Sequence, residues 1–134
     1  MQHYESLNAP TPGGPYSHAV SAGGLVFLSG QRPQDPTTGV LAEGVEAQTR
    51  QVLTNLAAVL ETCGCSTSDV VKVTAHLADI GDFAVFNGVY KEFFHEPYPS
   101  RTTVGSSLRG ILVEVDVVAE LPGSRAPGTA ASEH

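Results

Sequence analysis

Between Glu43 and Ala119 the hydrophobic repeat changes period three times. Val45, Thr49, Val52, Leu56, Val59 and Cys63 recur in alternating steps of four and three, and Leu53 and Leu60 widen the stripe. This spacing predicts an amphipathic helix of about five turns, with Gly64 as its C-terminal stop. Val71, Val73, Ala75 and Leu77 then alternate with Lys72, Thr74 and His76, the two-residue period of a strand. A second helical stripe follows in Phe83, Phe86, Tyr90, Phe93 and Phe94, with Asp79 as N-cap, Asp82 in the first turn, and Pro97 and Pro99 as the stop. Two β-branched runs, Thr102 to Ser106 and Ile111 to Ala119, join through Arg109-Gly110. Upstream, Leu25–Ser29 reads as a strand, Ser17–Ser21 as its hairpin partner, and Asp35–Gly39 as a turn.

Two helices cannot cover both faces of a sheet of four to six strands. The economical layout is an α/β (α+β) sandwich, a mixed sheet with both helices on one face. In the last strand Val113, Val115 and Val117 point to the helices, and Glu114, Asp116 and Val118 point away. That second face is either solvated, with ordinary surface carboxylates, or an inter-subunit surface with a polar pocket.

The 134 residues fit a single domain, expected over 1–120, and the Pro- and Gly-rich stretch 121–134 reads as a flexible C-terminal tail. Fourteen acidic residues against seven scattered basic ones give a net charge of −7, a poor basis for binding nucleic acid or an anionic membrane. No apolar run approaches about 18 residues and no signal-peptide pattern opens the chain, so a cytoplasmic location is the expectation. Cys63 and Cys65 form C-x-C, which is not the redox spacing, and the sequence has no second pair to complete a zinc site. His3, His95 and His134 fall outside the expected element interiors, and no histidine spacing suggests a metal. Phosphate-loop, dinucleotide and G-x-S-x-G motifs are missing from the sequence.

Four residues stand out, three of them with more than one reading. Tyr16, after Gly14-Pro15, is a buried ring or a pocket wall ahead of a strand. Ser29 opens SGQRP at a strand end. Asn87, a poor helix former inside a helix, is a surface filler or reaches a pocket. Arg101, fixed after a proline-rich turn, suits a bidentate carboxylate, a partnership with Glu114, or a plain surface role.

Taken in order, GPY (14–16), SGQ (29–31), EAQTRQVLTNLAAVLE, VVKVTAHLADIGDFAVFN with VYKEFF, P-x-R-T (99–102) and VEVDVVA (113–119) resemble the RidA (YjgF/YER057c/UK114) family of reactive intermediate deaminases, also labelled endoribonuclease L-PSP. The likeness runs collinearly from Gly13 to Ala119. It implies a chorismate-mutase-like, ferredoxin-like subunit in a barrel-cored homotrimer, with sheets inward, helices outward and ligand sites in the clefts between subunits. By the same resemblance Arg101 binds the substrate carboxylate, Glu114 positions or activates water, and Tyr16, Ser29 and Asn87 match the remaining binding positions. Thr103 stands where many members have a cysteine used through its backbone amide, which excludes covalent cysteine chemistry there. Leu108-Arg109-Gly110 replaces the usual L-P turn, and the loop before Arg101 is trimmed; both bear on substrate identity.

The reaction so implied hydrolyses 2-enamine/2-imino acids such as 2-aminoacrylate to 2-keto acids and ammonia, with no cofactor, no metal and a small carboxylate substrate as partner. Glu114 and Asp116 are expected to disfavour substrates with a second carboxylate, selecting small uncharged side chains. The alternatives are a trimer that binds a small carboxylate or acts on another enamine or carbonyl compound, and the RNA cleavage of the older label. The acidic charge and the lack of tryptophan argue against RNA.

Overall fold

The computed structural model describes residues 1–124. Its elements run β1 (Gln2–Tyr4), β2 (Ala19–Ala22), β3 (Leu25–Gln31), α1 (Val45–Thr62), β4 (Val70–Leu77), α2 (Phe83–Phe93), β5 (Ser100–Gly105) and β6 (Val113–Glu120). They form one mixed six-stranded sheet in the order β1-β2-β3-β6-β4-β5. Only β4 and β5 are parallel, and α2 is the crossover that parallel neighbours require.

Register fixes the two faces. Val73, Ala75 and Leu77 of β4 lie opposite Val117, Val115 and Val113 of β6, and all six are at most 2% exposed. The α1 stripe of Val52, Leu53, Leu56, Val59 and Leu60 closes over them, together with Phe86 and Val89 of α2. Burying one such side chain stabilises the fold by about 1.5–3 kcal/mol, so this layer carries the domain. Lys72, Thr74 and His76 pair with Val118, Asp116 and Glu114 on the opposite face, which no element covers. This is the expected sandwich with both helices on one side.

α1 ends as expected: Gly64 takes φ +80°, a conformation costly for any residue with a Cβ. Other expectations need correction. The start of the chain adds an edge strand, β1, and places His3 inside it; three residues are too few to show a period. Asp79 caps a separate 3-10 turn, Ile80–Asp82, by accepting from Gly81 N at 2.8 Å, and Asp82 is the N-cap of α2. Phe83 is 41% exposed, so the buried stripe of α2 is Phe86, Val89 and Tyr90. Leu121, expected in the tail, packs against the core and donates its amide to Gly24 O at 3.0 Å. Pro122–Ser124 of the expected tail form a 3-10 turn, and the rest of it, 125–134, lies outside the described residues.

Three buried polar side chains hold the loops that border the site. Asn55 donates to Arg32 O and Gln34 O at 3.0 and 2.9 Å and accepts from Gln51, which fixes the chain leaving β3. Gln48 donates to Ala42 O and accepts from Leu112 N at 2.7 Å, which fixes the connection entering β6. His18, 1% exposed, accepts at Nδ1 from Ser6 N and therefore donates at Nε2 to Pro10 O. It ties residues 6–10 to the start of β2, just after Tyr16.

Candidate active site

Arg101 follows the prolines that end the α2 connection, and its place in β5 decides where its side chain goes. Arg101 is in register with Val73, and Val73 with Val117, so all three share the helix-covered face. β5 is the edge strand, so the guanidinium emerges beside α2 and not beneath it. Its central carbon lies 4.6 Å from the Tyr90 ring centroid and 5.5 Å from those of Phe83 and Phe86. Cation–π contact of this kind holds the group without neutralising it. No carboxylate among the described residues pairs with it.

Beside it lies a cavity of about 270 Å³ bounded by Asn87, Tyr90, Lys91, Tyr98, Pro99 and Arg101. Burial pushes the Tyr90 hydroxyl above its ordinary pKa while the Arg101 charge works against that rise. Asn87, one turn before Tyr90 and Lys91, reaches this pocket and is only partly exposed. Thr103 is in register with Ala75 on the same helix-covered face, and its hydroxyl is buried without a partner.

Glu114 is in register with His76, and His76 with Val104, on the uncovered face. The pairing of β3 with β6 shifts register between Leu28 and Gln31, and Gly30 sits in that irregularity. A Cβ there would stand 3.0–3.1 Å from the Glu114 carboxylate and its Cγ, so the absent side chain of Gly30 is what lets Glu114 lie over the β3 backbone. Tyr16, Ser29, Gly30 and Glu114 line one cavity, and a wider one continues past Arg32 and Arg109. Tyr16 is 47% exposed and accepts at its hydroxyl from Gly13 N at 3.1 Å, so it is a pocket wall and not a buried ring. Ser29 Oγ donates to Ser17 O at 2.6 Å. With its proton engaged, it can offer a ligand only lone pairs.

The expected site residues therefore fall into two groups. Tyr16, Ser29 and Glu114 are together; Arg101 and Asn87 are together, with Thr103 nearby on the same side of the sheet. The groups occupy opposite faces, so Arg101 and Glu114 do not form the pair that one reading of the sequence allowed. Asp116 belongs to neither group: its Oδ2 lies 3.5 Å from His76 Nε2, whose Nδ1 is 2.9 Å from Ser106 Oγ. Sequence reasoning missed Gly30, Tyr98 and Lys91, and took Tyr90 for a core residue only. The i, i+3, i+4 spacing of Asn87, Tyr90 and Lys91 was the available signal for a shared helix face. Among the described residues no group of three or more metal-ligating side chains comes together.

The chain matches the sequence model of the family described as endoribonuclease L-PSP over residues 6–121. It is 48% identical over 115 residues to a RutC family protein of Pyrococcus horikoshii, covering 84% of this chain and 91% of that protein. It is 40% identical over 117 residues to the 2-iminobutanoate/2-iminopropanoate deaminase of Salmonella typhimurium, covering 84% of this chain and 91% of the relative. The crystal structure of RidA from the Antarctic bacterium Psychrobacter sp. superposes with a TM-score of 0.86 at 40% identity, covering 90% of this chain and 99% of the other. Escherichia coli TdcF with bound serine superposes at 0.84 and 36% identity, covering 90% and 98%. Sequence landmarks, strand order and the match across nearly the whole described chain agree: this protein belongs to the endoribonuclease L-PSP family, the RidA (YjgF) family.

Proposed function

We propose that this protein hydrolyses small 2-imino acids, and the enamines in equilibrium with them, to 2-keto acids and ammonia. The observation that carries this reading is Arg101, a guanidinium seated on aromatic rings with no carboxylate partner among the described residues. Such a group is a ready receptor for the planar C1 carboxylate, which it grips through two parallel hydrogen bonds. Relatives named as 2-iminobutanoate/2-iminopropanoate deaminases support the assignment.

An imine is already an electrophile, so the chemistry asked of the protein is positioning and proton handling. Glu114 accepts a proton from water as the water oxygen bonds to C2 and the C=N π electrons move to nitrogen. That proton passes to the nitrogen. Collapse of the resulting carbinolamine breaks the C–N bond, releases ammonia and forms the keto group; one water is consumed and nothing is oxidised. Ser29, limited to accepting, suits the imine N–H, and Tyr16 walls the cavity from solvent. Holding the electrophile against a placed water supplies several kcal/mol of the rate enhancement.

Opposite faces of one sheet cannot grip one small ligand, so the complete site requires a second copy. A homotrimer with the uncovered sheet faces inward supplies one: each cleft joins the Arg101 edge of one subunit to the Glu114 cavity of its neighbour. The exposed Phe27 and Val104, with Val118, on that face support the same assembly, because burial against another subunit removes their apolar surface from water.

The test generates imino acids in situ with an amino-acid oxidase and follows their decay with semicarbazide as a competing trap. Wild type accelerates decay over buffer, and Arg101→Ala abolishes the acceleration while the far-UV spectrum is unchanged. Sedimentation gives a trimer. No acceleration at protein concentrations equal to substrate, or a stable monomer at micromolar concentration, overturns the reading.

A further inference from the structure

The cavity at Arg101 holds more recognition chemistry than one carboxylate needs. Asn87, Tyr90 and Lys91 sit on a single face of α2 and line it together with Arg101. Two of the six lining residues are cations and none is acidic. Neither Arg101 nor Lys91 has an ion-pair partner among the described residues. Glu92, the carboxylate next to Lys91 in sequence, is turned away to α1, where Arg50 holds it through hydrogen bonds of 3.1 and 2.8 Å. Tyr90 is 5% exposed, and its buried hydroxyl makes no well-formed hydrogen bond, with the Arg101 guanidinium its polar neighbour. A buried hydroxyl left without one is destabilising, and a site where one borders a cavity gains from a ligand that satisfies it.

Lys91 has an ordinary use as well, since a cation in the last turn of a helix complements the helix dipole. That use does not account for its place on the wall of a cavity shared with a second unpaired cation and a hydroxyl without a well-formed hydrogen bond.

We propose that this pocket binds substrates carrying a second anionic group, so that the preferred class is 2-imino dicarboxylic acids. Arg101, with the Tyr90 hydroxyl beside it, takes the C1 carboxylate, and Lys91 receives the carboxylate at the far end of the side chain. The cavity, at about 270 Å³, exceeds the roughly 30 Å³ share of one liquid water many times over, enough for a chain of four or five carbons. This revises the selectivity expected from sequence, which rested on repulsion by Glu114 and Asp116 and on a small pocket left by Tyr16 and the trimmed 95–99 loop. Asp116 faces His76 on the uncovered side, away from the cavity. The inference rests on the imine-hydrolysis reading for its chemistry but not for its binding, and the two separate experimentally.

Succinate and butyrate serve as stable binding probes in calorimetry, and 2-iminoglutarate and 2-iminobutanoate, made by oxidases from glutamate and 2-aminobutyrate, as substrates. Wild type binds succinate more tightly than butyrate and favours the imino dicarboxylate in kcat/KM by about tenfold or more. Lys91→Glu, on an exposed side chain with its fold checked by thermal melting, lowers both ratios by about tenfold or reverses them. A wild-type preference for the neutral probes, or unchanged ratios in Lys91→Glu, overturns the proposal. Succinate binding that depends on Lys91 without acceleration of any imine upholds the dianion site and overturns the hydrolysis. Failure of both measurements overturns both.

Discussion

Arg101 and Glu114 stand on opposite faces of one sheet. The register places Arg101 across from Val73 and Glu114 across from His76, and in β4 those two neighbours are three residues apart, an odd step that reverses the side. No side-chain rotation brings the two groups to one small ligand within a subunit. Their cooperation, if the proposed reaction holds, is therefore a property of the interface between copies.

Complementation between impaired variants follows. Arg101→Ala should be inactive alone, and Glu114→Gln should turn over only at a small, measurable fraction of the wild-type rate. In the proposed cyclic assembly every site would take its arginine from one subunit and its glutamate from the next. After equal mixing with subunit exchange, about one quarter of the sites regain both groups, half times half, and activity should return to about a quarter of wild type. Activity that stays at the level of the separate variants, with exchange verified by mass spectrometry, would place both groups in one subunit.

Asn55→Ala should cost about 2 kcal/mol, because a fully buried amide loses two donated and one accepted hydrogen bond. For a domain of this size that lowers the melting temperature by several degrees. The loss should also loosen the Arg32–Gln34 segment, seen as faster amide exchange there than around Gly64. Asn55→Asp should be worse than alanine, since it removes both donors and buries a charge.

Cys63 should resist alkylation in the native protein. Burial, with Cys65 adding to it, raises the thiol from its ordinary 9.0 to about 11. At pH 8 about one thousandth of it is then thiolate, the reactive form. The proton is held more tightly folded than unfolded, so this group's contribution to stability is complete below pH 9.0 and falls away between 9.0 and about 11. Labelling at pH 8 at the rate of a free thiol would contradict the burial; labelling of both cysteines only in denaturant is the expected result.

Much of this was legible in the chain, for physical reasons that also mark where legibility ends. The α1 stripe and the alternation in β4 and β6 are periodic over several repeats, and period is what burial on one face imposes. The division of β6 into a valine face and a carboxylate face announced that one side of the sheet needs a partner or water. What strand alternation does not reveal is which face a short edge strand presents. Arg101 sits in β5, six residues long and flanked by Pro99, and only its pairing with β4 assigns its side. Tyr90 was hidden differently: in a stripe of aromatics a ring that packs a core and a ring that carries an arginine look the same. Gly30 was hidden because its contribution is an absent atom.

That absent atom gives the sharpest test of Glu114. Gly30→Ala would set a methyl group 3.0 Å from Oε2 and 3.1 Å from Cδ and Cγ of Glu114. The backbone at Gly30 is not in the left-handed region, so alanine itself is not strained there. The neighbour that must yield is the flexible end of a side chain, and stability should therefore change by less than about 1 kcal/mol. The carboxylate, however, moves by several tenths of an ångström from where it would hold water. A displacement of that order should lower kcat about tenfold, while affinity for a stable 2-keto acid, which the proposed reading anchors at Arg101, should change far less. Because the substitution acts only through Glu114, it should not lower the rate further in a Glu114→Gln background. An additive loss in the double variant would show that Gly30 serves the site by another route, such as close approach of the ligand to the β3 backbone.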